Sequence, residues 1–120
     1  MGKADGGIIL TAQKRTSASK RTRHVRDVKQ TDNFLKDWER LEHSGKHDMN
    51  RIKEAMLLLI ANDAPMPPEW KDHALDGNLQ GYRECHVKGD LLLLYHIEEK
   101  SKADLLVFMR ACTHSELFAM

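Results

Sequence analysis

The chain has little cysteine: Cys85 and Cys112 stand 27 positions apart, and no C-x-x-C pair occurs in the 120 residues. That excludes a disulfide framework and a thiolate zinc knuckle, and both thiols are expected reduced inside the core. Long apolar runs are missing too. The longest, "AMLLLIA" and "LLLLY", fall short of the roughly 20 residues that a membrane helix needs. The N-terminus has no apolar signal region followed by a cleavage site. The expectation is one cytoplasmic domain with a single modest core and no membrane contact. Net charge is almost absent at +1, but it is unevenly spread. Residues 1–30 hold eight Lys/Arg against two Asp/Glu, so that stretch carries +6 and the remainder −5. Such polarisation suits a basic arm for phosphates or an acidic partner. Residues 1–23, rich in Gly, Ser, Thr and Lys, are read as a basic, flexible extension preceding one domain over residues 24–120.

What is present reads as strand, helix, helix, then three strands. "RHVRDVKQ" is expected to hold a short first strand. In "TDNFLKDWERLEHSG", Thr31 or Asp32 can cap a helix whose apolar residues Phe34, Leu35, Trp38 and Leu41 recur at helical spacing, with Gly45 as the stop. Asp48 can cap a second helix, with Ile52, Ala55, Met56, Leu59 and Ile60 as its buried stripe. The short link "HSGKH" predicts an antiparallel pair. From Leu79 the periodicity changes: "LQGYRECHV" and "LLLLYHIEE" are expected to form a hairpin turning at Lys88 and Gly89. "ADLLVFMRAC" then adds a third strand as a meander. The fold class is α+β, an N-terminal strand and two antiparallel helices packed on an antiparallel sheet, with Leu91 to Tyr95 buried on both faces.

Groups able to do chemistry fall at His73 in "WKDHALDG", at His86 and Asp90 around the hairpin tip, and at His114 in "CTHSELF" after the last strand. Loops and strand ends are where a rigid sheet holds functional groups at an open surface. His96, inside a strand, is read as structural. Cutting RNA without a metal needs a base for the ribose 2′-OH, a cation or donor for charge on the phosphate, and an acid for the departing 5′-oxygen. Histidine suits either proton-transfer role, and an aspartate can act as base or orient an imidazole. DNA, lacking the 2′-OH, would be refused. Neither H-x-H nor H-E-x-x-H occurs, so no metal site and no cofactor is expected. Arg83 in "GYR" is a candidate phosphate contact or a partner for a surface carboxylate such as Glu84.

"PMPPEWKDHALDGNLQGYRECHVKGDLLLLYHIEE" followed by "FMRACTHSELF" resembles the YafQ branch of the RelE-type bacterial toxins. The motifs D-H-x-L, G-Y-R, H-V-x-x-D, L-L-x-Y and T-H-x-x-L-F recur there in this order, and the resemblance covers about residues 24–120. It implies a RelE-like microbial ribonuclease fold. It also implies the toxin of a type II toxin-antitoxin module, a ribosome-dependent endoribonuclease that cuts mRNA in the A site by metal-free 2′-OH attack. His73, His86, Asp90 and His114 match the family's catalytic positions, and Phe118 its mRNA-stacking aromatic. The implied partners are the ribosome, mRNA and a cognate antitoxin in a heterotetramer that binds operator DNA through the antitoxin. Two positions depart from the branch: Leu91 stands where tryptophan is frequent, and Glu84 where aspartate is common. The rival expectation is a catalytically inactive binding module acting only with an antitoxin as a repressor; the four filled chemical positions argue against it.

Overall fold

The structure, a computed structural model, describes residues 24–118; the side chain of Phe118 and the basic extension of residues 1–23 lie outside the described residues. The elements are β1 (Asp27–Gln30), α1 (Asp32–Ser44), α2 (Met49–Ala61), β2 (His73–Ala74), β3 (Arg83–Lys88), β4 (Leu91–Glu98), β5 (Leu105–Thr113) and α3 (His114–Phe118). Short 3-10 turns at Pro68–Trp70 and Gly77–Leu79 flank β2.

Thr31 starts α1, its hydroxyl accepting from the Phe34 amide at 3.0 Å and donating to the Met109 carbonyl at 2.8 Å. One side chain thus caps the helix and fastens it to β5. Gly45 ends α1 at φ +67°, a left-handed conformation that costs glycine no Cβ clash. The carboxylate of Asp48 accepts from the amides of Asn50 and Arg51 to start α2. Both caps expected from the sequence are present. Helix α1 packs on β5 and α2 on β3.

The sheet runs β1-β5-β4-β3-β2. The meander β3-β4-β5 is antiparallel as expected, but β1 lies parallel to β5, with Asp27 beside Leu105 and Gln30 beside Phe108. The sheet is therefore mixed rather than antiparallel. Four exposed residues carry no alternation that reports a direction; the direction follows from the helices that carry the chain from the β1 edge across the sheet face. The two-residue strand β2, where the sequence predicts a loop, completes the other edge. The hairpin starts at Arg83 rather than Leu79 and turns at Gly89 and Asp90 rather than Lys88 and Gly89. Lys88 still pairs with Leu91, and Gly89 supplies the positive φ of 59°. A bulge falls between His86 and Lys88.

Strand β4 is buried on both sides from Leu91 to Tyr95. Leu91, Leu93 and Tyr95 join Phe34, Leu41, Ile52, Leu106 and Phe108 under the helices. Leu92 and Leu94 face the opposite way into a smaller cluster with Cys112 and Leu117, closed by Leu75, Leu79 and Tyr82. Each fully buried leucine contributes on the order of 2 kcal/mol against exposure. A second, smaller apolar layer therefore covers part of the far face and carries α3. Both cysteines are buried and free, with burial pushing the Cys85 thiol up to about 12 and the Cys112 thiol to about 11.

Asp37, buried on α1, accepts from Arg110 Nε at 2.6 Å, Arg110 Nη2 at 3.0 Å and the Ala111 amide at 3.0 Å. These bonds hold α1 against β5 near the irregularity where Leu94 pairs with Arg110 and Tyr95 with Phe108. Bidentate donation satisfies the carboxylate away from water.

Candidate active site

Side chains two apart on a strand share a face, so Glu84 and His86 project together from β3. Across the edge ladder His73 pairs with Glu84, which brings the β2 imidazole beside that carboxylate. Strand β5 delivers His114 at its end, as the first residue of α3. The three imidazoles converge on one atom: Glu84 Oε2 lies 3.1 Å from His73 Nε2, 3.7 Å from His86 Nε2 and 3.5 Å from His114 Nε2. The Glu84 side chain is 5% exposed, whereas those of His73 and His114 are 47% and 42% exposed. The carboxylate is the floor of the site and the imidazoles are its rim. Ring centroids of His73 and His86 stand 5.9 Å apart, and those of His86 and His114 5.7 Å.

Each imidazole is placed by its own local device. His73 Nδ1 lies 2.6 Å from the Lys71 carbonyl, a contact in which the nitrogen must donate. Its other nitrogen faces a carboxylate, so both ring nitrogens look at acceptors. The pair is complete when His73 carries two protons or Glu84 carries one. Lys71, whose carbonyl meets His73, adopts φ +50°, an uncommon conformation for a residue with a Cβ. The neighbour of His73, Asp72, is gripped by Arg83 Nη2 at 3.0 Å and by a short hydrogen bond from the Tyr95 hydroxyl. His114 is held by a reciprocal cap: the Thr113 amide donates to Glu116 Oε1 at 2.9 Å, and the Glu116 amide to Thr113 Oγ1 at 3.2 Å. Glu116 Oε2 also meets Arg40 Nη1 at 3.1 Å, tying α3 to α1.

Burial holds the pKa of His86 below the usual imidazole value; Glu84 opposes that shift, while His114, His73 and Lys71 add to it. That shift favours the neutral, proton-accepting form of His86. An open cleft of about 420 Å³ adjoins it, lined by Arg51, Glu69, Lys71, Lys88 and Gly89 among others. Arg51 is occupied there: it stacks 3.7 Å over the Trp70 ring and pairs with Glu69 at 2.9 Å. Lys71 and Lys88 are exposed.

Three of the expected catalytic residues, His73, His86 and His114, are brought together. Asp90 is not: it lies exposed in the hairpin turn and forms no ion pair or hydrogen bond with the imidazoles. Arg83 does not pair with Glu84, whose side chain is buried on the other face; its guanidinium bonds Asp72 and Tyr95 instead. Leu91 is buried in the core, so its side chain presents nothing for a base to stack on. His96 stacks on Tyr82 at 5.5 Å, away from the cluster. Sequence reading missed Glu84, although its period-2 relation to His86 was legible. It also missed Lys71, Lys88 and the T-x-x-E cap of Thr113 and Glu116.

Metal-ligand spacing along the chain is equally uninformative. The H-x-x-x-H spacing of His43 and His47 is broken by Gly45, which ends α1, whereas the donor atoms of His73, Glu84 and His86, remote in sequence, all lie within 4.8 Å of one another. That donor set fits a borderline transition-metal ion.

A mixed five-stranded sheet with two main helices is consistent with the α+β fold of RelE-like toxins. Residues 26–119 match the family described as bacterial toxin of type II toxin-antitoxin system, YafQ, and the chain belongs to that family. It is 41% identical over 93 residues to the mRNA interferase toxin YafQ of Escherichia coli K12, covering 78% of this chain and 96% of that protein. Among solved structures, YafQ in the E. coli DinJ-YafQ complex is 40% identical with a TM-score of 0.64, covering 78% of this chain and 98% of that one. A metal-bound toxin from Helicobacter pylori is 38% identical with a TM-score of 0.67, covering 78% and 99%.

Proposed function

We propose that this chain is an endoribonuclease that cuts mRNA in the ribosomal A site, by attack of a ribose 2′-OH on the adjacent phosphate and without a metal. The products are a 2′,3′-cyclic or 3′-phosphate and a 5′-OH end. The observation that carries this reading is the convergence of three imidazoles, 3.1–3.7 Å away, on a single buried carboxylate oxygen. His86, held toward neutrality, is the base for the 2′-OH. His114, on the short capped helix, is the acid toward the 5′-oxygen. His73, whose two nitrogens both face acceptors, donates to the phosphate as charge gathers there. Glu84 orients all three rings and balances the proton they share. Asp90, 4 residues beyond His86 in the turn, is on the path of incoming RNA and assists once substrate has closed the site. Lys71 and Lys88 attract the backbone along the cleft. Phe118 stacks on a base.

The mRNA interferase name of the E. coli relative and the four filled chemical positions support catalysis over an inactive binding module. The DinJ-YafQ complex supports a cognate antitoxin partner in the same way, in a heterotetramer that meets operator DNA through the antitoxin. An apolar groove of about 430 Å³ between α1 and α2, flanked by the exposed Leu35 and Leu57, suits the apolar side chains of such a partner. No helix among the described residues is long and apolar enough to cross a membrane, and the site of action is the cytoplasm.

The test is translation of a defined mRNA by purified ribosomes, in magnesium buffer with toxin stripped of transition metals, mapping cleavage ends beside a His114→Ala control. Ribosome-dependent cuts with 5′-OH ends, absent in the control, are the expected result. Intact mRNA with folded, antitoxin-free protein would overturn it.

A further inference from the structure

We infer that Asp72, Arg83 and Tyr95 are positioning residues: on the helix-covered face of the sheet their side chains form a clamp that fixes where the His73 imidazole stands on the other face. The inference rests on the reading above for the consequence, cleavage, while the placement of the ring stands on geometry. Strand β2 is two residues long, and its ladder consists of the pairs His73 with Glu84 and Ala74 with Arg83. Two pairs at a sheet edge fray easily and by themselves hold a half-exposed imidazole loosely.

The neighbour of His73 supplies the anchor. Arg83 and Tyr95 are cross-strand partners on β3 and β4, so their side chains share a face, and Tyr95 belongs to the core beneath the helices. Asp72 accepts from Arg83 Nη2 at 3.0 Å and from the Tyr95 hydroxyl, and Arg83 Nε donates to that hydroxyl at 3.3 Å. His73, one residue on, meets Glu84 on the opposite face. Burial first, then the bond to Asp72, holds the Tyr95 hydroxyl above the usual phenol range, so it remains a donor at any pH where an imidazole works. The other side of His73 is fixed as well: Trp70 is 1% exposed, and the Lys71 amide donates to the Pro68 carbonyl at 3.0 Å. The Lys71 carbonyl then takes the bond from His73 Nδ1.

A partly buried ion pair adds little net stability, because desolvation offsets its attraction. What this one fixes is direction. Asp72 is held from two strands at once, so β2 can neither slide along β3 nor roll about its own axis without breaking bonds on the helix-covered face. His73 Nε2 is thereby kept 3.1 Å from Glu84 Oε2. The guanidinium of Arg83 is committed to this task, which accounts for an arginine beside the site that does not point into it.

The experiment compares full-length, antitoxin-free parent with Asp72→Asn, Tyr95→Phe, His73→Gln and the double variant Asp72→Asn with His73→Gln. Each is first read without RNA by NMR. The parent should show through-space contacts between ring protons of His73 and His86, whose centroids stand 5.9 Å apart, and between those of His86 and His114, at 5.7 Å. Asp72→Asn and Tyr95→Phe should each lose the first contact and keep the second. On programmed ribosomes, the same two variants should lower the saturated single-turnover rate by roughly 10- to 100-fold, as a misplacement of up to about 1 Å does, with the half-saturating concentration unchanged. In the His73→Gln background, Asp72→Asn should cost no further rate, because the clamp acts through that ring; a general folding defect would cost the same in both backgrounds. If Asp72→Asn fails to fold, Tyr95→Phe, which keeps the packed ring and removes one hydroxyl, supplies the answer. Absence of the His73–His86 contact in the parent, its retention in the folded variants, or equal rate losses with and without His73 would overturn the clamp. A parent that shows the contact and leaves mRNA intact would overturn the ribonuclease reading, while the RNA-free comparison still decides the clamp.

Discussion

His73 Nε2 lies 3.1 Å from Glu84 Oε2, joining a half-exposed imidazole on the shortest strand to the buried carboxylate at the floor of the site. The same oxygen faces His86 and His114, so a single acidic group meets all three imidazoles of the cluster.

Replacing Glu84 with Gln keeps the shape and removes the charge. Cleavage on programmed ribosomes should fall on the order of 10²-fold, because the rings lose the negative charge they share. Single-turnover rates measured beside thermal melts would separate this from a folding defect; an unchanged rate would remove Glu84 from the mechanism.

His114→Ala is expected to lower the rate roughly 10²–10⁴-fold, the range over which positioned proton transfer contributes. The cap between Thr113 and Glu116 does not involve the imidazole, so the melting temperature should stay close to that of the parent.

His86 has a pKa held below its ordinary 6.5 by burial. A base acts when neutral, so cleavage should rise with pH through a midpoint under 6.5 and be at its plateau by neutrality. The linkage has the same sense: with the folded value depressed, stability is full above about 6.5 and is lost as pH falls through the folded value. Denaturant midpoints at pH 7.5 and 5.5 should differ less for His86→Gln than for the parent.

Asp37→Ala leaves Arg110 half-buried without the carboxylate that satisfies it. Removing one partner of such a pair typically costs about 3–5 kcal/mol. Urea unfolding should show that loss in the midpoint, with cleavage at low temperature preserved in the folded fraction.

Lys71→Ala combined with Lys88→Ala should weaken ribosome binding and flatten its salt dependence by up to about two charges' worth of slope. A binding series over salt concentration reads this directly. An unchanged slope would place the RNA backbone elsewhere.

Much of the fold was legible because its determinants are local. Thr31 and Asp48 cap helices through bonds to amides two or three residues away, Gly45 stops a helix through its own φ, and "LLLLY" declares a doubly buried strand by composition. The hairpin turn was misplaced by one residue because a bulge before Lys88 adds a residue to one strand, and no turn residue reports that. The histidines were legible as chemical groups, and His73, His86 and His114 do meet. Asp90 looked equivalent to them because it sits close to His86 in sequence, yet in the turn it is exposed and makes no bond or ion pair to the imidazoles.

By itself, the sequence determined which segments are helix and strand, where they are capped, and which residues can carry protons, since each of these depends on neighbours within a few positions. Only the tertiary structure decided that β1 runs parallel to β5, that Glu84 is a buried hub rather than a surface partner of Arg83, and that Asp72 is the residue Arg83 holds. Those outcomes depend on which strands become neighbours, a choice made by burial summed over the whole core, and no window of the chain contains that sum.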